Sequence, residues 1–265
     1  MSFVVETWKA RGTVVAMLQL LGCGLLIGPD KAFTQDQLEG IVAAAPAPTL
    51  VLGFVGGFVH SDDTRHSEVQ LARRLQSAYG ESVQVRIFKN RDRAKAHTAI
   101  VEWLNGVRTT DNPLEPRVIL FGHSWGASAV VYLARELEHD GVPVALTVQV
   151  DSIQKHGHDD SVIPPNVAEA VNFYQSKGIL QGRSRILAAN PARTVILGNF
   201  YFKYEKEPGE CRIYPWYDRL FFKGHTSIEC DPRVWSDIQS LIETRLGRPF
   251  GPGTTDIAAG VVSKR

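Results

Sequence analysis

The chain has 265 residues, enough to bury a full core, and its length fits one large domain with appendages better than two independent ones. With 29 basic and 28 acidic residues the formal charge is +1. That excludes a global field for recruiting nucleic acid or an acidic surface, so a small-molecule or lipid substrate is expected as the partner. A hydrophobic content of 44% with 22% charged residues is ordinary for a globular protein.

The amino terminus departs from that average. Lys9 and Arg11 precede "GTVVAMLQLLGCGLLIG", an uncharged, mostly apolar run from Gly12 to Gly28. It resembles the charged and apolar regions of a signal peptide, which predicts export to the periplasm, the envelope or the medium. Glu6 is unusual in such a charged region, and no clean small-x-small cleavage site follows, so a cytoplasmic location stays open. "LLGC" resembles a bacterial lipoprotein lipobox and makes Cys23 a candidate for lipidation, although the apolar "GLLIG" continues where a polar tether is expected. A retained apolar helix attaching the protein to a membrane is the remaining reading, and the run is slightly short for a span of about 20 residues. The expected organisation is an apolar segment at 1–30, a linker at 31–48 containing "AAAPAP", a main domain at 49–246, and a loosely attached tail at 247–265.

Beyond the linker, apolar runs alternate with helical patterns. "TLVLGFV" (49–55) reads as a buried strand ending in glycines. From Ser61, capping residues lead into a helix with Leu71, Leu75 and Ala78 on one face and Gly80 at its end. "VQVRIF" (83–88) reads as a strand, and 92–105 as a helix with Ile100 and Leu104 inward. "RVILFG" (117–122) is the third strand. "ASAVVYLARELEHDG" follows as a helix with Ala127, Val130, Val131, Ala134 and Leu137 at helical spacing. "VPVALTVQV" (142–150) and "TVILGNF" (194–200) are the remaining clear strands, and "DPRVWSDIQSLIETRL" the last helix. Continuous apolar strands separated by amphipathic helices predict an α/β fold, a mostly parallel sheet covered on both faces.

"VILFGHSWGAS" places Ser124 where a strand ends and a helix begins. A serine there is held in a strained, positive-φ turn that projects its hydroxyl above the sheet, while Gly122 and Gly126 let strand and helix pass closely. The following helix aims its amino-terminal amides and dipole at the same point. Here the sequence resembles the α/β-hydrolase superfamily of lipases, esterases and thioesterases, whose nucleophile elbow is Gly-x-Ser-x-Gly between strand and helix.

A serine hydroxyl needs a histidine to take its proton and an acid to orient that histidine, and the superfamily order is serine, acid, histidine. Asp151 ends the strand after the nucleophile's helix, on the sheet edge where ligands bind. Its placement looks like the thioesterase-type branch. Asp159 and Asp160 are replacement candidates. Of the eight histidines, His60, His66, His97 and His139 precede the acid in helices, caps or the first loop, and His123 is expected to tuck under the elbow. His156 and His158 share the loop of Asp151, whereas His225 occupies the loop between last strand and last helix, where the resemblance places the base. The resemblance also implies an oxyanion hole from the amide of Trp125 and from Phe58 or Gly57 in "GFVGGFVHSDD".

Cys211 and Cys230 bracket His225 and are a candidate disulfide once Cys23 is removed or lipidated; two buried thiols are the alternative. "KHGHDDS" (155–161) lacks a further His or Cys ligand at a known spacing, so no metal and no cofactor is expected. The aromatic-rich stretch 199–222 either lines an acyl pocket or packs the loop onto the sheet. The reading is a serine hydrolase forming an acyl-enzyme on Ser124. The rivals are an acyltransferase with the same triad and a catalytically inactive envelope binding protein on this scaffold.

Overall fold

Six strands form one sheet in the order β2-β1-β3-β4-β6-β8, and every pairing within it is parallel. The strands are β1 (Thr49–Val55), β2 (Val83–Lys89), β3 (Arg117–His123), β4 (Val144–Val150), β6 (Val167–Tyr174) and β8 (Val195–Tyr201). A separate two-stranded ribbon pairs β5 (Val162–Ile163) with β7 (Leu187–Ala188). The helices are α1 (Ser67–Tyr79), α2 (Arg93–Arg108), α3 (Trp125–His139), α4 (Trp216–Phe221), α5 (Lys223–Cys230) and α6 (Pro232–Leu246). This computed structural model describes residues 47–108, 114–154 and 159–246. The amino-terminal segment with Cys23, most of the linker, the tail, and His156 and His158 lie outside the described residues. Among those described, no helix is long and apolar enough to cross a membrane.

The expected α/β layering is present, and strand alternation explains it. Along β1, Leu50, Leu52 and Phe54 face a core shared with Ile100 and Leu104 of α2 and Val130, Leu133 and Leu137 of α3. Val51 faces the opposite core, with Leu71 and Leu75 of α1 and Trp235, Ile238 and Ile242 of α6. Because successive side chains of a strand point to opposite faces, an uninterrupted apolar run is what a sheet covered on both sides requires. The direction in which strands are added reverses between β1 and β3: from β1 the chain goes outward to β2, then returns to the other side of β1 for β3 and β4. The connections leaving their carboxyl ends therefore pass to opposite faces, α1 on one and α3 on the other, and open a crevice at the edge between them.

Two elements differ from expectation. The stretch between the strands expected at 142–150 and 194–200, where the sequence shows no clear strand, contains β6, which sits inside the sheet between β4 and β8. Its apolar pattern is broken by Glu169 and Asn172, whose polar groups find partners elsewhere in the fold: Glu169 accepts from Arg245 at 2.7 Å and the Asn172 amide nitrogen donates to the Arg183 carbonyl at 2.8 Å, while its Oδ1 is left unpartnered. His225, expected on a loop, lies instead in the short helix α5.

Candidate active site

The crevice is lined by the ends of β1, β3 and β4. Ser124 follows β3 with φ 59° and ψ −128°, and its amide donates to the Val150 carbonyl at 2.9 Å, which pins the elbow to the end of β4. A Cβ at Gly126 would lie 2.2 Å from the Phe54 carbonyl oxygen, and one at Gly122 2.6 Å from that of Gly126, so any side chain at either position would push strand and helix apart. The sequence reading of these glycines as the relief for the turn has its reason in that contact.

Asp151 comes directly after β4. Ser124 and Asp151 are the two non-glycine residues with positive φ among the described residues, at 59° and 44°. Such conformations cost on the order of 1–3 kcal/mol each and persist where the surrounding structure dictates them. The Asp151 carboxylate is fully buried. Its Oδ2 accepts from His225 Nδ1 at 2.6 Å and from Gln175 Nε2 at 2.8 Å; its Oδ1 accepts from the amides of Gly182 at 2.8 Å and Gln175 at 3.2 Å. A carboxylate can only accept, so Nδ1 of His225 carries the proton and Nε2 is left as a base. Gln175 and Gly182 were not legible in the sequence, because they reach Asp151 from the far end of β6 and the loop beyond it.

The replacement acids are engaged elsewhere. Asp160 is buried and accepts from Ser128, Ser152 and Arg183, each at 2.5 or 2.6 Å, and Asp159 accepts from Ser161. His123 is buried as expected, and its ring packs against that of His225 with centroids 4.4 Å apart and planes tilted by 33°. Burial lowers its pKa to about 4 despite the nearby Glu229 carboxylate, so a neutral ring backs the His225 imidazole at neutral pH.

The loop after β1 lies over the serine: a Cβ at Gly56 would be 2.9 Å from that of Ser124. Gly57 turns with φ 43°, and its carbonyl accepts from Asn90 Nδ2 at 2.6 Å. In a trans peptide the next N–H points opposite to that carbonyl, so Asn90 fixes the direction of the Phe58 amide. The Phe58 ring is 82% exposed and meets Trp125 edge-on, centroids 5.8 Å apart.

Cys211 and Cys230 form a disulfide, with Cα atoms 5.2 Å apart, that ties the start of the 211–230 segment to the last residue of α5. Within it, Trp216, Tyr217, Leu220 and Phe221 of α4 are exposed, whereas Tyr214 is buried. The packing reading of the aromatic stretch therefore holds for Tyr214 and not for α4.

A sharp turn after a central parallel strand with a positive-φ serine, followed in chain order by an acid and then a histidine bonded to it, decides the architecture. This is the α/β-hydrolase fold. No protein-family model and no curated protein matches the chain. Among solved structures, the hydrolase fold seen here is similar to a cutinase-like protein from Cryptococcus sp. (13% identity, 78% of this chain, 98% of that one, TM-score 0.44). It is also similar to human thioesterase 2 (11%, 76% and 96%, TM-score 0.39). A likeness to an arylesterase (18%, TM-score 0.32) takes in 40% of this chain and spans only 37% of that one. The assignment of the hydrolase fold rests on strand order, elbow and acid placement.

Proposed function

We propose that the protein is a serine hydrolase that cleaves a carboxylic ester or thioester through an acyl-enzyme on Ser124. The observation that carries this reading is the His225 to Asp151 hydrogen bond at the same sheet edge as the strained Ser124 turn. In this reading the Ser124 hydroxyl attacks the acyl carbonyl while His225 Nε2 takes its proton. Asp151 holds the ring through Nδ1 and stabilises the imidazolium that forms. The amides of Trp125 and Phe58 receive the developing oxyanion, each worth on the order of 3 kcal/mol in such sites. Collapse of the tetrahedral intermediate expels the alcohol or thiol, protonated by His225, and water resolves the acyl-enzyme by the same route.

The exposed aromatic surface of α4, beside the His225 helix, favours an apolar acyl or alcohol group over a charged one. The disulfide fits an oxidising compartment, and with the apolar amino-terminal run it supports an exported protein that acts outside the cytosol. Ser124→Ala is expected to abolish hydrolysis of a short-chain nitrophenyl ester, and a fluorophosphonate reagent to label Ser124 in the unmodified protein. Unchanged hydrolysis in the variant, or no labelling, removes this reading. Product analysis with added alcohols distinguishes a hydrolase from an acyltransferase.

A further inference from the structure

Behind the His225 ring lies a second group of ionisable side chains that the proposed chemistry does not use. His66 precedes α1, Glu68 lies in its first turn, His123 ends β3, and Glu229 is one turn beyond His225 on α5. His66 Nδ1 is hydrogen-bonded to Glu229 Oε1, and the donor atoms of His66, Glu68 and Glu229 all lie within 4.8 Å of one another. His123 Nδ1 is 3.6 Å from Glu229 Oε2 and 3.9 Å from Glu68 Oε1. Ligands of a tetrahedral zinc ion, bound at about 2.0–2.2 Å, are separated by roughly 3.4 Å, so shifts of a few tenths of an ångström would close this shell.

A second, independent observation points to a ligand. Glu68 is fully buried and neither of its carboxylate oxygens has a hydrogen-bond partner. Nothing else in a fold that fills every lone pair of Asp151 leaves a carboxylate in this condition among the described residues. An unpartnered buried carboxylate is costly, and the usual resolutions are a proton or a metal ion. Two carboxylates with two neutral imidazoles carry a charge of −2, which one divalent cation cancels. Tyr214 donates to Glu229 Oε1 at 3.0 Å and Trp235 Nε1 to the Glu229 carbonyl at 2.5 Å, the kind of outer support that orients a ligating carboxylate.

We propose that His66, Glu68, His123 and Glu229 form a buried site for one divalent transition-metal ion. Imidazole nitrogen in half of the set disfavours magnesium and calcium, which take oxygen ligands, and zinc is the best match to a compact four-ligand shell. The ion would clamp the start of α1, the nucleophile elbow and the histidine-bearing α5 together. None of the four residues is assigned to bond cleavage, so the site stands or falls separately from the hydrolase reading.

The test uses the full-length protein. Freshly purified, unmodified protein is expected to retain close to one zinc per chain by elemental analysis. After stripping with chelator it should rebind one equivalent with submicromolar affinity by calorimetry, with a rise in melting temperature. Glu68→Gln, which keeps the shape, should weaken binding at least a hundredfold, whereas a His156→Ala/His158→Ala variant should bind as before. Absence of stoichiometric zinc in both preparations, unchanged affinity in Glu68→Gln, or loss in the His156/His158 variant overturns the site. Should Glu68→Gln fail to fold, X-ray absorption of the zinc-loaded parent decides: two imidazole and two carboxylate ligands support the proposal, and any other shell rejects it.

Discussion

Asp151 and Glu68 are both completely buried, yet the fold treats them in opposite ways. Asp151 has four donors on its two oxygens, one of them the histidine locked to it, whereas no donor meets either oxygen of Glu68 in hydrogen-bond geometry, although the amides of Glu68 itself and of Gly56 favour its charge. The first arrangement fixes one geometry. The second leaves a place where charge must still be supplied, and burial with the repulsion of Glu229 raises the Glu68 pKa to about 8. Two acids about equally hidden from water therefore have different vulnerabilities: geometry for Asp151, charge balance for Glu68 and its partner Glu229.

The comparison can be broken by exchanging the consequences. Asp151→Asn is expected to lower kcat by about 10⁴-fold, the size seen when a triad acid loses its charge but not its shape, with a small change in melting temperature. Glu229→Ala is expected to do the reverse, costing about 3–5 kcal/mol in chemical denaturation because it strands His66 and Tyr214, with a smaller loss of kcat. Equal effects of both variants on kcat would dissolve the distinction. Next in size, replacing the disulfide with Cys211→Ser/Cys230→Ser should cost about 3 kcal/mol for a loop of this length, read from the same denaturation curves. Gln175→Leu, which removes a donor to Asp151, should lower kcat by about tenfold with KM nearly unchanged.

The smallest effect is in pH and concerns the chelator-treated protein. Burial alone would lower His66, but the Glu229 bond and charge raise it to about 9 from an ordinary 6.5. A raised histidine pKa contributes stability that is fully present below 6.5 and lost as pH rises through 9. Glu68, raised to about 8, has the same sign, since the folded state holds its proton where the unfolded chain has released it. Stability of the metal-free protein should thus fall between pH 7 and 9, less steeply in Glu68→Gln; a flat or rising profile by thermal melting would contradict both assignments.

Five strands and the turn at Ser124 were legible because each depends on local pattern, whereas Asp151 and His225 were singled out by the resemblance, and the bond between them is a finding of the structure. β6 was not legible, since its polar groups are met by partners distant in sequence: Arg245 for Glu169, and Asn199 with the Arg183 carbonyl for the Asn172 amide nitrogen. α5 was hidden by its shortness and by Gly224. Glu68 did leave a trace: it stands three and seven residues before Leu71 and Leu75, on the buried face of α1, where an acid has no place unless something answers its charge. Glu229 left none, because a helix of eight residues, all but the first of them buried, has no polar face against which an inward acid would stand out.

The positive φ at Asp151 has a consequence for what sequences can occupy that position. At 44° a side chain is tolerated mainly when it is short and polar, which admits aspartate, asparagine and glycine and penalises glutamate. A longer acid would keep the charge and lose the backbone. The proposed chemistry asks this position for a carboxylate; the turn out of β4 decides that it be the shorter one.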